Sequence, residues 1–406
     1  MLCKAPCVPP ERSAPSDPGR LSVAFDATPL LGRPTGVGAF CSGALSGLCS
    51  LPLLDLSAFA VSWRRRHGIS SLVPSAVATR QRAMPARPLH ALWGHLSVPP
   101  VEWFIGHQDV VHGSNFVVPP TARAARVVTV HDLTVVLYPQ MCDRSTARFP
   151  AFIRRAVAEG AWIHTPSHFV AQQVVAELGV DGERVRAVHH GIPGPVVDPE
   201  TSTAPPFALP DGCRRYVLAI GTIEPRKDYP LLVSAFAPVS AAHPDVALVV
   251  VGSDGWGADR FAAAVEASPS RSRIVRPGYL DGQALAVALA NASVLAYPSL
   301  YEGFGFPPLQ AMAAGVPVVA TTAGAIPEVV GDGALLVGPG DADDLAGAID
   351  SVLDGGASID ALVDRGRTRA NAFTWQACAE GLALLYTDAH RASGAAGSAR
   401  TLGQRP

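Results

Sequence analysis

Short apolar runs rich in Val, Ala and Leu recur along the chain, and longer stretches with helical spacing lie between them. One series of runs covers residues 22–26, 57–61, 109–112, 126–130, 161–165 and 185–189. A second covers 216–220, 246–251, 273–275, 294–297 and 316–320. Most are continuously apolar rather than alternating, as expected of parallel strands covered on both faces. Helices are predicted between them over 148–160, 169–178, 231–242, 283–290 and 308–314, and beyond them over 341–353 and 375–389. Residues 192–212 break the pattern with six prolines and no periodicity, which marks a linker.

Two βα series joined by such a linker predict an α/β protein of two Rossmann-like, doubly wound domains facing a central cleft. The expected boundaries are a disordered leader over 1–20, a first domain over 21–198 and a second over 199–374. A helix over 375–390 and a disordered, Gly/Ala/Arg-rich tail over 391–406 follow. The length of 406 residues fits two cores better than one.

Composition narrows the function. Hydrophobic residues make up 48% of the chain and charged residues 16%, which excludes a disordered or tail-dominated protein. A net charge of −2 gives no general field for nucleic acid, so none is expected as a partner. The basic run Trp63-Arg64-Arg65-Arg66-His67 is either a solvated loop or a contact for an anionic surface. The seven cysteines are scattered, without CxxC pairs or metal-ligand spacing, as in a reduced cytoplasmic protein. No apolar run reaches the roughly 18 residues of a membrane span. The expected location is the cytoplasm, with peripheral contact at the inner membrane face left open.

Ligands of open parallel sheets bind beyond the carboxyl ends of the strands. Five informative segments fall there. They are Asp26-Ala27-Thr28-Pro29-Leu30 with the later Gly36-Val37-Gly38, His131-Asp132-Leu133, Gly221-Thr222-Ile223-Glu224-Pro225-Arg226-Lys227, Gly252-Ser253-Asp254-Gly255, and Ser299-Leu300-Tyr301-Glu302-Gly303-Phe304-Gly305-Phe306-Pro307-Pro308. Gly36 and Gly38 fit either a structural turn or a close approach to phosphate. His131 is either a satisfied strand-end residue or a ligand contact. The adjacent cations Arg226 and Lys227 suit a pyrophosphate. Glu302 sits in an irregular backbone that folding alone does not need. The P-loop motif and a complete GxGxxG are absent, which argues against a P-loop NTPase and a Rossmann dehydrogenase.

In this order and spacing the segments resemble the family 4 retaining glycosyltransferases of GT-B fold, over about residues 23–375. The carrying motifs are Val130-His131-Asp132-Leu133, the Glu224-Pro225-Arg226-Lys227 loop, the segment from Tyr297 to Ala313, and Ile326-Pro327-Glu328-Val329. Their wording looks most like bacterial mannosyltransferases that use GDP-mannose; UDP-sugar enzymes also belong to the family. The resemblance implies that Arg226 and Lys227 hold the donor diphosphate and Glu302 the donor sugar. It implies that His131 reaches the sugar from the first domain, and that amides near Gly303, Phe304 and Gly305 assist. Gly36, Gly38 and Gly221 would let backbone approach the donor. No metal and no cofactor is implied beyond the nucleotide-sugar donor. The final helix would cross back onto the first domain.

One position departs from the family's E-x7-E pattern. Gln310 stands where a second glutamate normally grips the nucleotide ribose. Charged hydrogen bonds exceed neutral ones by about 1 kcal/mol, so Gln310→Glu is expected to tighten donor binding by up to about tenfold. The departure is also the support for a second reading, a catalytically idle sugar-nucleotide-binding scaffold. The acceptor, whether glycan, lipid or small molecule, has no readable code.

Overall fold

The computed structural model describes residues 19–32, 35–143, 146–195, 197 and 204–402. The expected leader, apart from residues 19 and 20, lies outside them, as do residues 196, 198–203 and 403–406 of the expected linker and tail.

Seven strands form the first sheet: β1 (Leu21–Asp26), β2 (Leu54–Phe59), β3 (Ala78–Arg80), β4 (Val110–Gly113), β5 (Ala125–Thr129), β6 (Trp162–Thr165) and β7 (Val185–Ala187). Six form the second: β8 (Arg215–Ile220), β9 (Val246–Val251), β10 (Ile274–Gly278), β11 (Val294–Tyr297), β12 (Val318–Thr321) and β13 (Leu335–Val337). The sheet orders are β3-β2-β1-β4-β5-β6-β7 and β10-β9-β8-β11-β12-β13. All named pairings are parallel, for example Leu21 opposite Leu54 and Val294 opposite Val217. Both sheets therefore reverse direction of growth at one point, between β1 and β4 and between β8 and β11. Loops leaving adjacent strands part company there and leave a crevice.

The continuous apolar runs are explained by double coverage. Val23 and Phe25 face one buried cluster of the first domain while Ala24 faces another, and Val217 and Leu218 divide likewise in the second. Each large aliphatic side chain so buried contributes about 1.5–3 kcal/mol.

The last helix returns to the first domain. Cys378, Leu382, Leu385 and Tyr386 share a buried cluster with Phe25, Phe40 and Leu45. The Tyr386 hydroxyl donates to His112 Nδ1 (2.7 Å), and His112 Nε2 donates to Thr129 Oγ1 (2.7 Å). Thr129 then donates to His164 Nδ1 (2.9 Å), whose Nε2 donates to the Val188 carbonyl (3.1 Å). This direction satisfies every group with neutral rings. Burial, the largest influence, holds His112 well below its ordinary pKa and His164 at about 3. The helix spans Trp375–Leu402 and so passes the expected end at residue 390, replacing the expected disorder over 391–402. The alanines of that segment, with no proline before Pro406, favour continuation.

Candidate active site

The second domain contributes two loops at its switch point. Arg226 and Lys227 occupy the short 3-10 turn Pro225–Lys227 after β8, and Glu302 follows β11. The Leu300 N–H donates to the Arg226 carbonyl (2.8 Å), which fixes one loop against the other.

Their side chains then meet out of water. Glu302 Oε1 accepts from Lys227 Nζ (2.7 Å) and Oε2 from Arg226 Nη1 (2.7 Å). Arg226 also donates to the Tyr301 carbonyl (2.8 Å) and pairs with Glu224 (2.5 Å). Lys227 donates to the Tyr297 hydroxyl (2.7 Å). Burial alone would raise the Glu302 pKa, but Arg226 and Lys227 outweigh it and pull it down to about 2. Glu302 therefore has no proton to give at neutral pH. It accepts hydrogen bonds from these cations, and the Ser299 hydroxyl also favours its charged form, which leaves at most two of its roughly four lone-pair sites. The Lys227 ammonium keeps a third N–H. The two cations expected at phosphate and the acid expected at sugar are thus tied into one unit.

The glycines around Glu302 have separable roles. A Cβ on Gly303 would lie 1.9 Å from the His131 carbonyl oxygen, so only glycine lets this loop touch the first domain. Gly305 precedes the helix Phe306–Ala313 with φ +116°, a conformation glycine adopts without penalty. Pro307 and Pro308 in its first turn carry no N–H, so this helix end offers fewer donors than the sequence reading assumes. The amides of Phe304, Gly305 and Phe306 remain. Gly221 sits beside the Lys227 stem on the same cleft wall.

Across the cleft stands the helix Gly36–Leu48. The Gly38 N–H goes to Thr35 Oγ1 (3.2 Å) and the Ala39 N–H to the Thr35 carbonyl (2.9 Å), leaving those of Gly36 and Val37. Gly36 lines the cleft, with only the Phe306 ring near where its Cβ would lie (3.6 Å), whereas Gly38 is buried one step deeper. His131 Nε2 donates to the Ser114 carbonyl (2.9 Å), so Nδ1 is the acceptor nitrogen, and burial lowers its pKa. His190 was not singled out by sequence. It is buried on the cleft wall, its Nδ1 has no partner among the described residues, and burial holds it well below its ordinary pKa. The run His189-His190-Gly191 just beyond β7 was the available signal. Gly36, His131, His190, Arg226, Lys227 and Glu302 line one cavity of about 710 Å³, which Gly38 does not reach.

Gln310 lines the cavity too, but its Nε2 donates to the Pro193 carbonyl (2.9 Å) between the domains. A glutamate there would set two acceptors against each other, at about 1–3 kcal/mol, more than the roughly 1 kcal/mol a charged ribose contact adds. Donor titration of Gln310→Glu should therefore show unchanged or weaker binding, opposite to the sequence expectation.

Glu328 receives a concrete place. Its Oε1 accepts from the His168 N–H (2.8 Å) and His189 Nε2 (2.7 Å), and its Oε2 from the Phe169 N–H (2.8 Å). His168 opens the first-domain helix His168–Leu178, whose N-cap Ser167 donates to the Gly303 carbonyl (2.9 Å). These residues latch the two domains. His168, His189 and Glu328 bring ligand-type atoms within 4.8 Å of one another, and hydrogen bonds already engage both carboxylate oxygens. Burial would raise the Glu328 pKa, but these bonds lower it. The latch is thus complete above the ordinary carboxylate range and fades as pH falls through the lowered value. Glu328→Ala should shift closure roughly ten- to hundredfold toward the open form, since charged bonds contribute about 1.5–3 kcal/mol. Small-angle scattering would show a larger radius of gyration.

The family "Glycosyl transferases group 1" matches residues 205–369, the stretch that carries the ion cluster. A 2-deoxystreptamine glucosyltransferase of Streptomyces kanamyceticus is 32% identical over 266 residues, covering 61% of this chain and 67% of that protein. The chain belongs to the group 1 glycosyltransferases. The O-antigen chain mannosyltransferase B of Escherichia coli is 28% identical over 275 residues, 66% of this enzyme and 71% of that one. Among solved structures, Anabaena HepE in complex with UDP and glucose superposes with a TM-score of 0.66 at 18% identity. The match covers 91% of this glycosyltransferase and all of HepE (100%). The fold is GT-B.

Proposed function

We propose that this glycosyltransferase moves a mannosyl unit from GDP-mannose to a glycan, lipid or small-molecule acceptor, with retention of anomeric configuration and without a metal. The observation that carries the reading is the buried Arg226–Glu302–Lys227 unit facing His131 across the cleft. The free N–H of Lys227 and the Gly36 and Val37 amides receive the diphosphate and neutralise charge as it leaves. The remaining acceptor capacity of Glu302 and the acceptor Nδ1 of His131 take sugar hydroxyls. Gln310 Oε1 accepts from the nucleotide ribose.

The mannosyl assignment draws on the motif wording and on the Escherichia coli relative. A UDP-sugar donor is the second reading, favoured by the UDP-bound HepE. Purified enzyme incubated with GDP-mannose, UDP-glucose and ADP-glucose tests both. Nucleotide release with GDP-mannose alone supports the proposal, and release only with UDP-glucose moves it to the second reading. Saturable binding with no turnover would instead support an idle scaffold.

A further inference from the structure

The first domain carries a feature that the transfer reaction does not use. From Leu56 to Val101 the chain has six arginines and no acidic residue, within a protein of net charge −2. The same region, extended to Trp103, exposes large apolar side chains: Trp103 is 67% exposed, Trp63 59%, Val98 53% and Leu96 50%. Arg64, Arg65, Arg82 and Arg87 are exposed in the same stretch.

Contacts join the Trp63, Arg82 and Trp103 segments into one surface, whereas Ser97, between Leu96 and Val98, bonds to Glu159 and Arg155 instead. Arg82 Nη1 donates to the Trp103 carbonyl (2.8 Å), Arg66 Nε to the Gln81 carbonyl (3.0 Å), and Arg66 Nη1 to the Trp63 carbonyl. The Met84 N–H donates to the Ser62 carbonyl (3.2 Å). Glu102, the acid that ends the stretch, is engaged by the backbone N–H of Ala122 (2.8 Å) and Arg123 (3.1 Å).

We propose that this face docks on an anionic lipid bilayer. Indole rings settle at the headgroup level, arginines bind the anionic headgroups, and aliphatic side chains gain by leaving water. The two exposed indoles among the arginines favour a bilayer interface, and the protein's net charge of −2 gives no extended field for a nucleic acid. The surface also adjoins the cleft mouth. The loops that carry Trp63 and Arg82 leave the carboxyl ends of β2 and β3, and the Val61 N–H donates to Thr28 Oγ1 (2.8 Å) in the turn leading to Gly36. On the transferase reading, docking holds the acceptor side of the cleft at the membrane, where a lipid-borne acceptor would be met.

Flotation of the full chain with vesicles of phosphatidylcholine alone, or with about one-third phosphatidylglycerol, tests the docking independently of donor turnover. Binding to the anionic vesicles, weak binding to the neutral ones, and release by high salt are expected. Arg64→Gln/Arg65→Gln should lower partitioning about 25-fold, at roughly fivefold per charge. Trp63→Ser/Trp103→Ser should lower it severalfold, with nucleotide binding and Tm unchanged in both variants. Equal binding to both vesicle types, no binding, or wild-type partitioning of the arginine variant would overturn the proposal. So would tight heparin binding with vesicle partitioning insensitive to the tryptophan variant, which points to a polyanionic partner.

Discussion

Glu302→Gln lowers turnover by about 100-fold or more while donor KM stays level or falls. The variant keeps the side chain's size but removes the charge held between Arg226 and Lys227. Its amide nitrogen must then face one of two groups that also only donate. The cations, released from the carboxylate, bind the donor diphosphate at least as well in the ground state. The loss falls on the transition state, where one misplaced electrostatic contact costs about 3 kcal/mol. Stability falls as well, because Lys227 is left buried without its carboxylate, at about 3–5 kcal/mol. Acid behaviour gives a second readout. The Glu302 pKa in the folded protein, about 2, lies below its ordinary value of 4.5. Its contribution, on the order of 3 kcal/mol, is present above the ordinary value and is lost as pH falls toward the lowered one. Glu302→Gln should lack that part of the acid-unfolding profile.

Gly303→Ala lowers kcat by about 100-fold through geometry alone. The new Cβ would meet the His131 carbonyl at 1.9 Å, backbone against backbone from opposite domains, with no flexible side chain to yield. Separation by more than an ångström is the only relief. A 1 Å misplacement of reacting groups costs on the order of 10²-fold. Each domain keeps its own core, so far-ultraviolet circular dichroism should be unchanged. Wild-type kcat in this variant would show that the closed contact between the Gly303 and His131 loops is not the working geometry.

The sequence made the fold legible wherever strands were buried on both faces. β8, β9 and β11 fall where the apolar runs place them because nothing but core surrounds them. β3 reads Ala-Thr-Arg and is three residues long at a sheet edge, so no run announces it. β2 begins earlier than its apolar run, since Asp55 interrupts the pattern at an exposed position. The helix Ala357–Ala370 buries only Leu362, Gly366 and Ala370, too thin a stripe to detect. At the site, residue identities were legible from motifs but pairings were not. Glu302 and Lys227 are 75 positions apart, and only the switch-point topology brings them to 2.7 Å. The Gln310 bond to Pro193 and the Glu328 latch arise from domain closure, which no local pattern encodes.

The most direct test is single-turnover assay of GDP release and anomeric product analysis with GDP-mannose, run in parallel on the wild type and Glu302→Gln. Turnover with retained configuration is expected in the wild type, and GDP binding with turnover reduced about 100-fold or more in the variant. Wild-type rates in Glu302→Gln, or an inverted product, would contradict it.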